Sequence, residues 1–483
     1  MNVLYATSEA APLIKTGGLA DVSGALPAAL RKIGIDCRVL IPGYPAVMYK
    51  LEATRQIARF DNFLDAEGKP LAARLLLSSM PGSETPLYVL DAPSAFARTG
   101  GPYQDSDGLD YLDNAHRFAL LSQVAALLAG ADSPVDWQPD ILHCNDWQTG
   151  LAPAYLRLSG STTPSVMTIH NLAYQGIFPP ETLAESNLPA SSFSIEGAEY
   201  YGNLSFLKAG LYYANHITTV SPTYAWEIQQ PPLGMGMQGL LTSRQHQLSG
   251  ILNGIDTNEW NPASDPHLPC EFNARALGGN NRGKKLCKLK LQEELGLEPL
   301  ADAPLFGMIA RMTHQKGLDL VLAVADGIID RGGQIALLGT GEKSIEAAVL
   351  ALVARHPGKV ASLIGYDEGL SHRIEAGSDL FLMPSLFEPC GLNQMYSLRY
   401  GSVPIVHATG GLRDTVEDGV TGFVFNQPTP HALWLAVERA LDLYAQKSAW
   451  KTLMHTGMHR DFSWEKSALA YQALYRDLSP AQT

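Results

Sequence analysis

Several features are scarce or missing in this 483-residue sequence. It has five cysteines, Cys37, Cys144, Cys270, Cys287 and Cys390. The number is odd, the spacing is wide and no C-x-x-C occurs, which argues against a disulfide framework or a zinc module and for a reducing compartment. Cationic side chains are in the minority, 35 Lys and Arg against 48 Asp and Glu, for a net charge of −13. That argues against nucleic acid or an anionic membrane surface as the main partner, but not against a local phosphate site. The longest apolar stretch, residues 118–131, is interrupted by Ser122 and Gln123 and is too short to span a bilayer. The chain opens directly on the strand-like run Val3-Leu4-Tyr5-Ala6, with no basic segment ahead of a long apolar one. No signal peptide is therefore expected, and the expected location is the cytoplasm.

What is present fits a soluble globular protein: 46% hydrophobic and 17% charged residues over a length that allows two to four domains. Residues 2–7 read as a strand, followed by the loop Lys15-Thr16-Gly17-Gly18. A helical stretch then carries Val22, Leu26, Leu30 and Ile33, and Pro27 is expected to break or restart it. Further strands are expected at 38–42, 87–91, 141–144, 165–168 and 216–220. The second half alternates more regularly, with strands at 305–310, 334–338, 360–364, 380–384 and 403–407 and helices between. Such alternation implies mainly parallel sheets in two doubly wound domains, divided near 240–255. Residues 261–282, rich in Pro, Gly and Asn, read as a surface excursion.

Cations stand at strand ends. Lys15 precedes Gly17-Gly18 at a helix start, where backbone amides and the helix dipole favour an anion. The loop is neither a Walker A nor a G-x-G-x-x-G motif, and on pattern alone a tight turn with a solvated lysine is the simpler reading. Arg311 and Lys316 flank a loop after a strand, at the carboxyl edge where open α/β sheets bind ligands. A departing diphosphate needs such charge. Glu388, in the loop before Cys390-Gly391-Leu392, can accept hydrogen bonds from sugar hydroxyls, and helix amides beyond it can take phosphate. Cys390 has no partner base and reads as structural or lining. His170 ends a strand, and His143-Cys144-Asn145-Asp146-Trp147 ends another. His143 and Cys144 point to opposite strand faces, so they make no metal site, whereas Asp146 and Trp147 could line a sugar pocket. Asp105-Ser106-Asp107 lies in a loop and reads as solvated. Thr16-Gly17-Gly18-Leu19-Ala20-Asp21 is echoed by Thr409-Gly410-Gly411-Leu412-Arg413-Asp414. Convergent loop chemistry and a pair of homologous loops both account for that echo.

The segments 15–22, 170–176, 252–256, Arg311 with Lys316, and 388–392 together resemble the bacterial glycogen synthases and plant starch synthases, in order and over nearly the full chain. The resemblance implies an α/β GT-B fold, two Rossmann-like doubly wound domains facing a deep interdomain cleft. It places an acceptor domain at 1–245, a sugar-nucleotide domain at 246–455, and a segment 456–483 packing back on the first. It implies ADP-glucose as donor, glycogen or a maltooligosaccharide as acceptor, retention of anomeric configuration, and neither metal nor cofactor. By the family pattern, His170, Arg311, Lys316 and Glu388 would be catalytic. Lys15, Gly17, Gly18, Asp146, Asn253, Tyr366, Cys390, Gly391 and Leu392 would bind substrate, with Tyr366 stacking on adenine. Tyr396 stands where many GT-B enzymes carry a second glutamate, and Asn393 where a threonine is expected. No residue stands out as a carboxylate nucleophile, which favours a front-face route. Other readings are a GT-B enzyme using UDP-glucose or a different donor, or a glucan-binding protein without turnover.

Overall fold

A computed structural model describes residues 1–64, 68–277 and 282–479. The chain forms two compact units, residues 1–254 with 464–483, and residues 255–463. The first division follows Gly254 and not residue 245, because Leu248–Gly250 is a further strand of the first sheet. The returning segment begins at Trp464 and not at 456. The helices Pro430–Ala445 and Lys447–Met458 stay in the second unit, and Trp464–Leu478 packs on Gly18–Lys32 of the first. Of the stretches read from sequence, 65–67, 278–281 and 480–483 lie outside the described residues.

In the first unit the strands are β1 (Asn2–Ala6), β2 (Asp36–Pro42), β3 (Arg55–Leu64), β4 (Pro70–Ser79), β5 (Pro86–Asp91), β6 (Ile141–Asn145) and β7 (Ser165–Ile169). A small antiparallel sheet follows, from β8 (Ile177–Phe178), β9 (Glu199–Tyr200) and β10 (Asn203–Ser205), and then β11 (His216–Thr219) and β12 (Leu248–Gly250). The main sheet runs β12-β11-β7-β6-β1-β2-β5-β4-β3, parallel except for the β3–β4 and β4–β5 pairs. All five residues of β6 and of β7 are buried, as expected of a parallel sheet covered on both faces. The β3–β4 pair is invisible in the sequence because β3 is an edge strand in which only Phe60 is buried.

The helix Gly18–Lys32 runs unbroken through Pro27, contrary to expectation. An interior proline costs about 3 kcal/mol. The face carrying Leu19, Ala20, Val22, Leu26, Pro27 and Leu30 is buried, and that burial offsets the lost hydrogen bond.

The second unit holds β13 (Leu305–Ile309), β14 (Gln334–Gly339), β15 (Val360–Ile364), β16 (Leu380–Met383), β17 (Val403–His407) and β18 (Phe423–Phe425), all parallel, in the order β15-β14-β13-β16-β17-β18. Alternate residues feed two cores. Phe306, Met308, Ile335, Leu337 and Leu382 face one layer of helices, and Leu305, Ala336, Leu338, Phe381 and Met383 face the other. The segment read as a surface excursion is partly anchored, since Asp265 and Phe272 are buried. Among the described residues no helix is long and apolar enough to cross a membrane.

Candidate active site

Both sheets reverse their strand order beside the first strand of the unit, between β1 and β6 and between β13 and β16. Open α/β sheets bind ligands at the carboxyl edge of such a switch point, because the loops there diverge and leave a crevice.

In the second unit this edge holds a cavity of about 330 Å³. Arg311, Lys316, Tyr366, Glu388, Gly391 and Leu392 all line it, with Asn393. Lys316 ends the short turn His314–Lys316, and Gly317 follows at φ 70°. A Cβ on Gly317 would stand 2.2 Å from the Pro384 carbonyl oxygen, so glycine lets the β13 and β16 loops abut. The Leu386 amide then donates to the Gln315 carbonyl at 2.8 Å. Lys316 Nζ donates to Glu388 Oε2 at 2.5 Å, and Ser385 Oγ donates to the same oxygen at 3.0 Å. Asn393 Nδ2 donates to the Ile309 carbonyl at 2.7 Å and ties the start of the helix Asn393–Tyr400 to the end of β13. The Arg311 guanidinium is exposed and forms no ion pair among the described residues. Tyr366 is 73% exposed, so its ring offers a free face at the cavity rim.

Of the second-unit residues implied to bind substrate, one lies off the cavity. Cys390 is buried and does not line the cavity; its carbonyl accepts from Gln394 Nε2 at 3.1 Å. Tyr396 lies off the cavity and stacks on Trp260 at 3.8 Å.

The echoed loops occupy unlike positions. Thr16-Gly17-Gly18 follows β1, the strand at the switch point, and has open space around both glycines. Thr409-Gly410-Gly411 follows β17, one strand further out. Gly410, at φ 43°, would place a Cβ 1.9 Å from the Glu388 carbonyl oxygen, so this loop braces the one carrying Glu388. Convergent loop chemistry accounts for the echo.

In the first unit Asn145, Asp146 and His170 meet at the ends of β6 and β7. Asp146 adopts φ 53° and ψ −175°, a backbone region that costs a residue other than glycine about 1–3 kcal/mol. Its Oδ1 accepts the His170 amide at 2.7 Å. Burial pushes the Asp146 carboxyl up to about 7, against the lowering effect of backbone amides from His170 and Asn171. Asn145 Nδ2 donates to the Ala6 carbonyl at 3.0 Å, which turns Asn145 Oδ1 toward His170 Nε2, also at 3.0 Å. His170 therefore carries its proton on Nε2 and keeps Nδ1 as an acceptor. Burial pushes its pKa down to about 3, so the ring is neutral near pH 7.

Lys15 Nζ is exposed and pairs with Asp21 at 2.7 Å. Sequence reasoning missed Glu9. Buried behind the glycine loop, it accepts from the Thr16 amide at 2.5 Å, Thr16 Oγ1 at 2.6 Å, Tyr103 Oη at 2.5 Å and the Gly17 amide at 3.4 Å. The Gly17 amide is thus already engaged by an internal carboxylate. The only cue in the sequence is the position of Glu9, three residues past the end of β1. Trp147 packs against Phe118, Phe178 and Phe206 and stays partly exposed. Asn253 Oδ1 is buried and has no hydrogen-bond partner among the described residues. His143 is held by Tyr475 Oη and Thr168 Oγ1, both at 2.6 Å, and Cys144 is fully buried.

Residues 2–243 match the family model described as the starch synthase catalytic domain, and residues 297–452 match glycosyl transferases group 1. With two doubly wound units and a cationic cavity at a switch point, these matches define a glycosyltransferase of the GT-B fold. Glycogen synthase of Nitrosomonas europaea is 52% identical over 98% of this chain and 97% of its own length, and that of Dechloromonas aromatica is 52% identical over 99% and 98%. The catalytic domain of starch synthase IV from Arabidopsis thaliana, solved with ADP and acarbose bound, superposes with a TM-score of 0.86 at 33% identity, covering 99% of each chain. The chain belongs to the bacterial glycogen synthase family.

Proposed function

We propose that this chain transfers glucose from ADP-glucose to the non-reducing end of an α-1,4-glucan, glycogen or a maltooligosaccharide, with retention of configuration and without a metal ion. The observation that carries this reading is the convergence of Arg311, Lys316 and Glu388 on one cavity with the exposed ring of Tyr366 at its rim. The ADP and acarbose in the plant starch synthase support an adenine nucleotide and an α-glucan-like ligand.

In this proposal Tyr366 stacks on adenine. The diphosphate lies against Arg311, Lys316 and the amides at Gly391, Leu392 and Asn393. These fixed charges and dipoles take up negative charge as the anomeric C–O bond to phosphate breaks, the work a metal ion does elsewhere. Glu388 accepts from the glucose hydroxyls while Lys316 holds it in place. The acceptor hydroxyl attacks on the face from which ADP departs, and its proton passes to a phosphate oxygen of the leaving group. His170 is neutral and serves the reacting glucose through Nδ1 as an acceptor, and it is not the source of a proton. Asp146 positions His170, and Lys15, Gly18 and Asn253 are assigned to substrate binding.

The test is ADP release from ADP-glucose with and without glycogen, with UDP-glucose in parallel and EDTA throughout. Glycogen-dependent release from ADP-glucose that survives EDTA is expected. Release from UDP-glucose alone would reassign the donor, and loss of activity with EDTA would overturn the metal-free route.

A further inference from the structure

A second polar cluster in the second unit is built around His372, on the helix Glu368–Gly377, and takes no part in the proposed transfer. The His372 ring is buried, with Nδ1 2.7 Å from Asp265 Oδ2. Asp265 is itself fixed by the Tyr400 hydroxyl at 2.5 Å and the His267 amide at 2.8 Å. Trp260 stacks on the ring at 3.8 Å and 12°. Nδ1–H therefore faces a carboxylate, the ring plane is fixed, and Nε2 is the end left for another partner. That nitrogen is buried and makes no hydrogen bond among the described residues.

Glu368 Oε1 stands 3.6 Å from His372 Nε2, too far for a good hydrogen bond. A Glu259 carboxylate oxygen completes the group, the three ligand atoms lying within 4.8 Å of one another. Two ligands of one tetrahedral zinc ion, each about 2.1 Å from it, stand about 3.4 Å apart. The His372–Glu368 separation matches that spacing, and Glu259 is the exposed third member of the group. A carboxylate behind the far nitrogen is also the support that metal-binding histidines receive, because it fixes the tautomer and strengthens the ligand.

We propose that Glu259, Glu368 and His372 form a binding site for a divalent ion of the zinc type, with water in the remaining position. Glu368 lies two residues beyond Tyr366, so a bound ion would pin the segment that carries the cavity-rim tyrosine. Burial lowers the basicity of His372, but the Asp265 and Glu368 carboxylates outweigh it and raise its pKa to about 9, so a bound ion must displace a proton. Mildly alkaline buffer suits the measurement.

The experiment titrates the full chain with Zn²⁺ by calorimetry, with Co²⁺ as a coordination probe and thermal unfolding as a second readout. One ion per chain, tetrahedral cobalt absorption and a raised unfolding midpoint are expected. Glu259→Gln and Glu368→Gln change exposed positions, spare the fold and should each weaken binding by about tenfold or more, and Asp265→Asn should weaken it by roughly 10–100-fold through the supporting carboxylate. The exposed pair His455 and His459, with ring centroids 4.1 Å apart, is the rival site. His455→Gln should leave binding unchanged. No binding, binding unaffected by both glutamate changes, or binding lost in His455→Gln would each overturn the proposal. None of these outcomes bears on glucose transfer.

Discussion

Lys316→Ala separates two roles of one cation. Its Nζ lies 2.5 Å from Glu388 Oε2, and the two side chains are only 18% and 10% exposed. Removing it leaves Glu388 with Ser385 Oγ as its remaining hydrogen-bond donor. A charge-assisted hydrogen bond contributes about 1.5–3 kcal/mol, and the residual exposure places this one at the lower end. For a unit of this size that lowers Tm by roughly 2–8 °C. The catalytic loss should be larger, because the ammonium is aimed at charge that builds only as the diphosphate departs. Removing one preorganised donor of that kind costs about 10²–10³ in kcat, or roughly 2.7–4 kcal/mol. The assay is steady-state ADP release at saturating glycogen over a range of ADP-glucose, with calorimetry on the same samples. Glu388→Gln is the comparison, since it keeps the lysine and removes the carboxylate charge. A Lys316→Ala enzyme with near-normal kcat at saturating donor and a lowered Tm would refute the catalytic role and leave a structural ion pair.

The cavity rim, its brace and the buried groups of the first unit give further tests. Tyr366→Ala should raise KM for the donor by roughly 5–100-fold with kcat largely kept, since base stacking on an aromatic ring contributes about 1–3 kcal/mol; a fall in kcat alone would contradict the stacking role. Gly410→Ala drives a Cβ into the Glu388 carbonyl and should cost about 1–3 kcal/mol by urea unfolding, with a raised donor KM. Tyr475→Phe strips His143 Nδ1 of its partner and should cost about 1–3 kcal/mol, with donor KM unchanged. The Asp146 carboxyl, raised by burial to about 7, holds its proton more tightly folded than unfolded. Its contribution to stability is therefore greatest below about pH 4 and is lost as pH rises to about 7. Asp146→Asn does not titrate, so its urea midpoint relative to wild type should rise across that window, and a flat difference would show that Asp146 ionises normally.

Much of the fold was legible because the central strands of the two main sheets are parallel and covered on two faces, so they read as largely apolar runs such as Ile141–Asn145 and Leu305–Ile309. The β3–β4 pair was not, because an edge strand with one buried residue carries no such signal. Pro27 misled because local sterics predict a break, whereas burial of the whole helix face decides the outcome. At the site, the strand-end positions of Arg311, Lys316 and Glu388 were readable. Their convergence depended on which strand lies beside β13, and a strand order with β16 as neighbour is not written in local pattern. Glu9 was illegible for the same reason, since its partners Thr16 and Tyr103 are brought to it by the fold.

The most direct test of glucosyl transfer is an NMR analysis of the product formed from ADP-[¹³C]glucose and a maltooligosaccharide in the presence of EDTA. The labelled glucose should appear at the non-reducing end in an α-1,4 linkage, matched mole for mole by ADP. A β linkage, or free labelled glucose in place of an extended chain, would contradict the account.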